Sequence, residues 1–118
     1  MMAPKVTELR LSPDKKVLTV QFADGARYTP SAELLRVESP SAEVQGHDPS
    51  QKKLIALKRN VAITKIEPVG NYAVRLVFDD GHDTGIYSWS VLERLGREGD
   101  TLMDAYLQAL EDAGLPRG

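Results

Sequence analysis

Two His-Asp pairs, His47-Asp48 and His82-Asp83, are the residues of this chain with the clearest capacity for chemistry. Imidazole nitrogens beside carboxylates are typical ligands of divalent metals, and Asp79, Asp80 or Glu43 could complete such a site. The same residue types are common in polar loops, where backbone groups satisfy them, and on residue type alone that is the more frequent use. A His-x-acid iron oxygenase triad is excluded, because Pro49 and Thr84 stand two places after the histidines.

Nucleophilic chemistry has less support. Ser39, Ser41, Ser88 and Ser90 all lie outside any G-x-S-x-G turn. The sequence has no Cys, which removes disulfides, thiolate metal sites and Cys nucleophiles from this chain. Gly70, Gly81 and Gly85 are isolated turn glycines and form no phosphate-cradling run. Tyr72, Tyr87 and Trp89 could stack on a ligand, although aromatics so placed more often pack a core or its edge. Lys52-Lys53 and Lys58-Arg59 flank a short apolar run, which suits protection of a strand edge better than a nucleic-acid footprint.

These residues need elements to position them, and the stretch from Asn71 to Trp89 supplies the strongest pattern. Tyr72, Val74, Leu76 and Phe78 alternate onto one strand face, Asp80-Gly81 marks a hairpin turn, and His82 to Tyr87 returns. Ser88 opens a helix with Val91, Leu92 and Leu95 as its apolar stripe and Gly96 as its stop. The first half repeats the scheme. Val6 to Leu11, with Thr7, Leu9 and Leu11 on one side, precedes a strand with Leu18, Val20 and Phe22 on one face, then Asp24-Gly25 and a return at Arg27-Tyr28. A helix capped by Thr29, with Pro30 in its first position, runs from there to Arg36. This reads either as a pseudo-repeat of about sixty residues or as two unrelated hairpins with the same turn.

Between the halves, Val37 to Lys53 is a long loop without periodicity. Leu54 to Leu57 and Val61 to Ile66 are strand candidates. Asp100 is placed to cap a last helix reaching about Ala113, with Leu102, Met103, Tyr106, Leu107 and Leu110 inward and Gly114 as the stop. Residues 115–118 are expected to fray.

At 118 residues the chain has the size of one domain, expected over 1–118 with its core in 6–113. The 15 basic and 17 acidic residues give a net charge of −2, so neither nucleic acid nor an anionic membrane is an expected partner. No apolar run approaches the roughly 20 residues that span a bilayer, and the N-terminus lacks the apolar segment of a secretion signal; a cytoplasmic location is expected.

Several segments together resemble a known family. Leu34 to Glu43, with Gly46-His47 just beyond, Val69 to Tyr72 and Phe78 to Trp89, are similar to the gamma-butyrobetaine-hydroxylase-like N-terminal domain, a small domain of unknown function found alone in bacteria. In the carnitine-synthesis hydroxylases this domain precedes the catalytic barrel and holds a structural zinc through three Cys and one His. The resemblance places those ligands at Ser39, Ser41, Val44 and His82, so only the His persists. The domain also occurs fused to P-loop iron–sulfur carrier ATPases, whose nucleotide loop is absent from this sequence.

The expected fold is an α+β domain, mainly antiparallel sheet with about three helices, the C-terminal one packed on the sheet. Its expected function is a binding or interaction module without catalysis or cofactor, accessory to a separate enzyme or assembly factor, with a protein or small-ligand partner. The alternative is a metal-binding or carrier domain using His47 and His82. The resemblance implies that the long loop and the Asp80 to Gly85 turn meet, which would gather Glu43, His47, His82 and Asp83 beside Tyr87 and Trp89. The Ser39 and Ser41 hydroxyls would then hold that end through backbone groups.

Overall fold

The computed structural model describes residues 4–118; residues 1–3 of the expected domain lie outside them. Alternating apolar residues build the expected antiparallel α+β fold as two three-stranded sheets. Strands β1 (Val6–Leu11), β2 (Leu18–Phe22) and β3 (Arg27–Tyr28) form the first, in that order. Strands β4 (Ile63–Val69), β5 (Ala73–Phe78) and β6 (Ile86–Ser88) form the second. Each sheet feeds a helix, α1 (Ala32–Val37) and α3 (Trp89–Arg97), opened by a serine whose Oγ accepts a backbone N–H three residues on: Ser31 from Leu34 and Ser88 from Val91.

The two halves match in detail. Their first strands carry the same irregularity, between Val6 and Glu8 and between Ile63 and Lys65. Such a bulge shifts the inward side of a strand by one residue. Thr7 is therefore exposed, against the face assigned to it by simple alternation, and Val6 turns inward with Leu9 and Leu11. In the second half Ile63 is buried, Thr64 and Lys65 are exposed and Ile66 is half-buried. The pseudo-repeat is thus present in the fold.

Leu18, Val20 and Phe22 of β2 meet Val74, Leu76 and Phe78 of β5 in one core, closed by Leu34 and Leu35 of α1 and Leu92 and Leu95 of α3. Burial of this apolar surface is the main favourable term holding the two sheets together. Tyr72 departs from the expected face and is exposed, because it sits in the turn after Gly70 and ahead of β5. Helix α4 (Gly99–Ala113) packs on this core through Leu102 and Met103, while its Tyr106 and Leu110 form a smaller core with Val37.

Several boundaries move for identifiable reasons. Pro30 O accepts Leu18 N–H, and Val17 bridges Ser31, so Thr29-Pro30 extends the sheet and the cap passes to Ser31. β6 starts only at Ile86, leaving 82–85 as an irregular turn. β4 runs through Pro68, which an edge strand tolerates. Gly96 does not stop α3 but lies inside it, where a Cβ would come within 2.4 Å of Tyr28 Cβ; its absence lets the helix touch β3. Asp100 falls in the first turn of α4, because Glu98 O already accepts Leu102 N–H and the helix opens there without a side-chain cap. Gly114, left-handed at φ 67°, ends that helix as expected.

The long loop contains a four-residue helix, α2 (Ala42–Gln45), and a 3-10 turn at Pro49–Gln51. Leu54 to Leu57 is not a strand. Tyr106 Oη donates to Ile55 O, Leu57 takes a left-handed φ of 64°, and Leu57 N–H donates to Pro116 O. That bond and Arg59 N–H to Arg117 O tie down the C-terminal residues that were expected to fray.

Candidate functional site

The end of α1 brings Ser39 and Ser41 against the turn that comes after β5. Phe78 N–H donates to His82 O, and Asp80 Oδ1 accepts His82 N–H at 3.0 Å, which fixes the turn and aims the imidazole inward. Ser39 Oγ lies 2.9 Å from His82 Nε2, and Glu43 Oε2 lies 3.2 Å from His82 Nδ1. Thr84 Oγ1 donates to the same Glu43 oxygen at 2.9 Å and sits 2.7 Å from Ser41 Oγ. Ser41 N–H donates to Ser39 Oγ, and Glu43 N–H donates to Ser41 Oγ, capping α2.

One proton assignment satisfies every group in this circuit. Neutral His82 donates from Nδ1 to Glu43 and accepts the Ser39 hydroxyl at Nε2; the Ser41 hydroxyl donates to Thr84. Gly85 has to be a glycine here, since a Cβ at that position would lie 2.5 Å from Ser39 Oγ. Beneath the circuit Tyr87 is fully buried and its hydroxyl donates to Leu35 O. A second tie joins the same elements: Asp80 Oδ2 meets Arg36 Nε at 2.8 Å and Lys58 Nζ at 2.6 Å. Burial alone would raise the Asp80 carboxyl, but Lys58, the His82 amide and Arg36 together hold it down at about 2.

Ser39, His82 and Glu43 have the connectivity of a nucleophile, its base and the carboxylate that orients the base. No elbow motif in the sequence reveals it, because the three residues come from separate local structures. Access decides its meaning. Ser39 has no exposed surface, so no substrate carbonyl can reach its Oγ, which already accepts the Ser41 amide. The circuit is a staple between two loops.

Of the other candidate residues, Asp83 is exposed and turned to Arg75, which donates to its carbonyl at 2.9 Å and approaches its carboxylate at 3.5 Å. Trp89 Nε1 donates to Asn71 O at the β4–β5 turn. His47 is exposed and lines a separate shallow surface pocket with Asp48, Pro49 and Lys52; its backbone N–H bonds Gln51. The fold therefore joins Glu43 and His82 directly, sets Tyr87 below them, and leaves the His47 and Trp89 side chains outside the circuit.

The four positions matching the family's zinc ligands do not fit a zinc. Both His82 ring nitrogens are engaged, by Ser39 and Glu43, the Ser39 and Ser41 hydroxyls are committed within the network, and Val44 offers no donor atom. Among the described residues no three His, Asp or Glu side chains gather in a metal-holding cluster.

Burial, and then the nearby Arg36 cation, push the His82 pKa below its ordinary 6.5, outweighing Glu43 and Asp80. The folded protein thus binds the His82 proton more weakly than the unfolded chain. The linked stability is fully present above about pH 6.5, the unfolded value, and is lost as pH falls through the lower folded one. Denaturant unfolding across this range should show that slope in the wild type and a flatter one in His82→Gln.

Two hairpin-plus-helix halves, closed by a C-terminal helix and joined by a buried polar staple, define a small α+β domain. Residues 9–93 match the model of the family described as gamma-butyrobetaine hydroxylase-like, N-terminal, and the chain belongs to that family. Two proteins with NMR solution structures resemble it over 98% of its length: one is 51% identical, covered over 86% of its own chain, and the other 41% identical, covered over 91%, both with a TM-score of 0.84. A crystal structure of a protein of unknown function from Acidithiobacillus ferrooxidans, of the DUF971 family, is 37% identical over 78% of this chain and 92% of its own, with a TM-score of 0.65. No curated protein matches the sequence. Among the described residues no helix is long and apolar enough to cross a membrane.

Proposed function

We propose that the protein is a non-catalytic binding module that serves a separate enzyme or assembly factor. The observation that carries this reading is the closure of the Ser39–His82–Glu43 relay: its serine and histidine are buried, and their partners use up their hydrogen-bonding capacity. Catalysis needs a nucleophile within reach of a bound substrate, and Ser39 has no such approach. Glu43, His47 and Asp83 are each exposed, and polar loop residues of this kind suit contact with a partner rather than turnover.

A fluorophosphonate probe tests this directly, because it labels activated serines. The intact protein should remain unlabelled. Labelling that disappears in Ser39→Ala would establish an accessible nucleophile and overturn the reading.

A further inference from the structure

We propose that the apolar groove between α4 and the segment from Lys52 to Leu57 is the docking site for an acidic amphipathic helix of a partner protein. This deepens the binding-module reading and rests on it. The groove encloses about 300 Å³ and is walled by Val37, Ile55, Leu102, Ala105, Tyr106 and Ala109. The last four residues lie at the i, i+3, i+4, i+7 spacing of one helical stripe. Two of them are alanines, so a second helix can approach α4 to the roughly 8–10 Å separation of packed helices. The Tyr106 hydroxyl in this wall already donates to Ile55 O, leaving the groove no polar demand there.

Exposed apolar side chains also stand on the segment itself and in the tail that bonds to it. Leu54 is 38% exposed and Leu57 is 65% exposed, and Leu57 N–H pairs with the tail residue next to the exposed Leu115. Those three account for most of the large exposed apolar side chains among the described residues, the others being Tyr72 and Ile86. Exposed apolar side chains beside an apolar groove suit an interaction site.

Charge selects the occupant. Lys52 Nζ is held by both carboxylate oxygens of Glu38 at 2.8 Å, so that pair cancels. Lys53, in the groove wall, and Arg59, two residues past the segment, have no ion-pair partner among the described residues. The uncompensated charge along the segment is positive on a chain whose net charge is −2, so a partner with acidic residues flanking its apolar face is complementary. The segment is not a strand and offers no unpaired ladder, which favours a helix in the groove over an added strand.

Selection from a display library of random peptides, roughly 16 residues long to allow about four helical turns, tests the proposal. Enriched peptides should combine Asp or Glu with apolar residues at helical spacing and shift the amide resonances of the groove. Ala105→Arg, at an exposed position, should weaken them at least about tenfold, as expected for blocking a central anchor, with an unchanged melting temperature. Lys53→Glu with Arg59→Glu should weaken the same peptides and select basic ones instead. The proposal is overturned by peptides that map to Glu43, His47 or Asp83 instead, by binding indifferent to these variants or to peptide charge, by self-association that covers the groove, or by no enrichment. None of those results labels Ser39, so the two readings fail separately.

Discussion

Replacing Phe78 with Ala lowers the unfolding free energy by about 3–5 kcal/mol, the range for emptying a buried phenylalanine site. Phe78 is 2% exposed and stands in β5 opposite Ile63, where both sheets and both hairpin helices contribute to the core. The cavity has little chance to collapse, since Leu76 and Ile63 beside it have no exposed surface and are held in the ladder. The same residue also anchors the site: its N–H binds His82 O, and its ring lies 6.0 Å from the His82 ring. Denaturant unfolding at neutral pH gives the number. A loss under about 1 kcal/mol, the range of surface positions, would show that Phe78 is not a core residue.

The alternation that made Phe78 legible in the sequence also made the hairpins legible, because a period of two comes from strand geometry alone. It failed at Thr7, where a bulge resets the period, and at Tyr72, which precedes the strand in its turn. Local signals failed where a tertiary partner supplied the missing bond. Pro30 is a good first residue for a helix, yet its carbonyl serves Leu18; Gly96 is a good stop, yet it lies where α3 touches Tyr28. The site divides in the same way. Residue types singled out His82 and Glu43, and the family resemblance set Ser39 and Ser41 beside His82. Thr84 carried no signal of its own, although it joins Glu43 to Ser41. The groove was hidden for another reason: its walls come from α1, α4 and a segment read as a strand, and only packing shows that an alanine-bearing stripe of α4 stays uncovered.

Arg117→Ala should destabilise the fold by about 2–3 kcal/mol, although the residue stands near the chain's end and is 37% exposed. Its Nε and Nη2 bind the two carboxylate oxygens of Glu33 at 2.9 and 2.8 Å, and Glu33 is only 6% exposed on α1. Removing one partner of a buried pair strands the other charge away from water, a cost usually put at about 3–5 kcal/mol; the exposure of Arg117 reduces it here. The tail bonds to Leu57 and Arg59 would weaken with it, since the side chain and the backbone hold the same strap. Arg97→Ala is the control. That residue forms an exposed i,i+4 pair with Glu93, worth no more than about 0.5 kcal/mol. Adding Glu33→Gln to Arg117→Ala should restore much of the lost stability, because a neutral amide tolerates burial better than a lone carboxylate. Equal losses for Arg117→Ala and Arg97→Ala would mean that water already solvates Glu33 and that the strap contributes little to the fold.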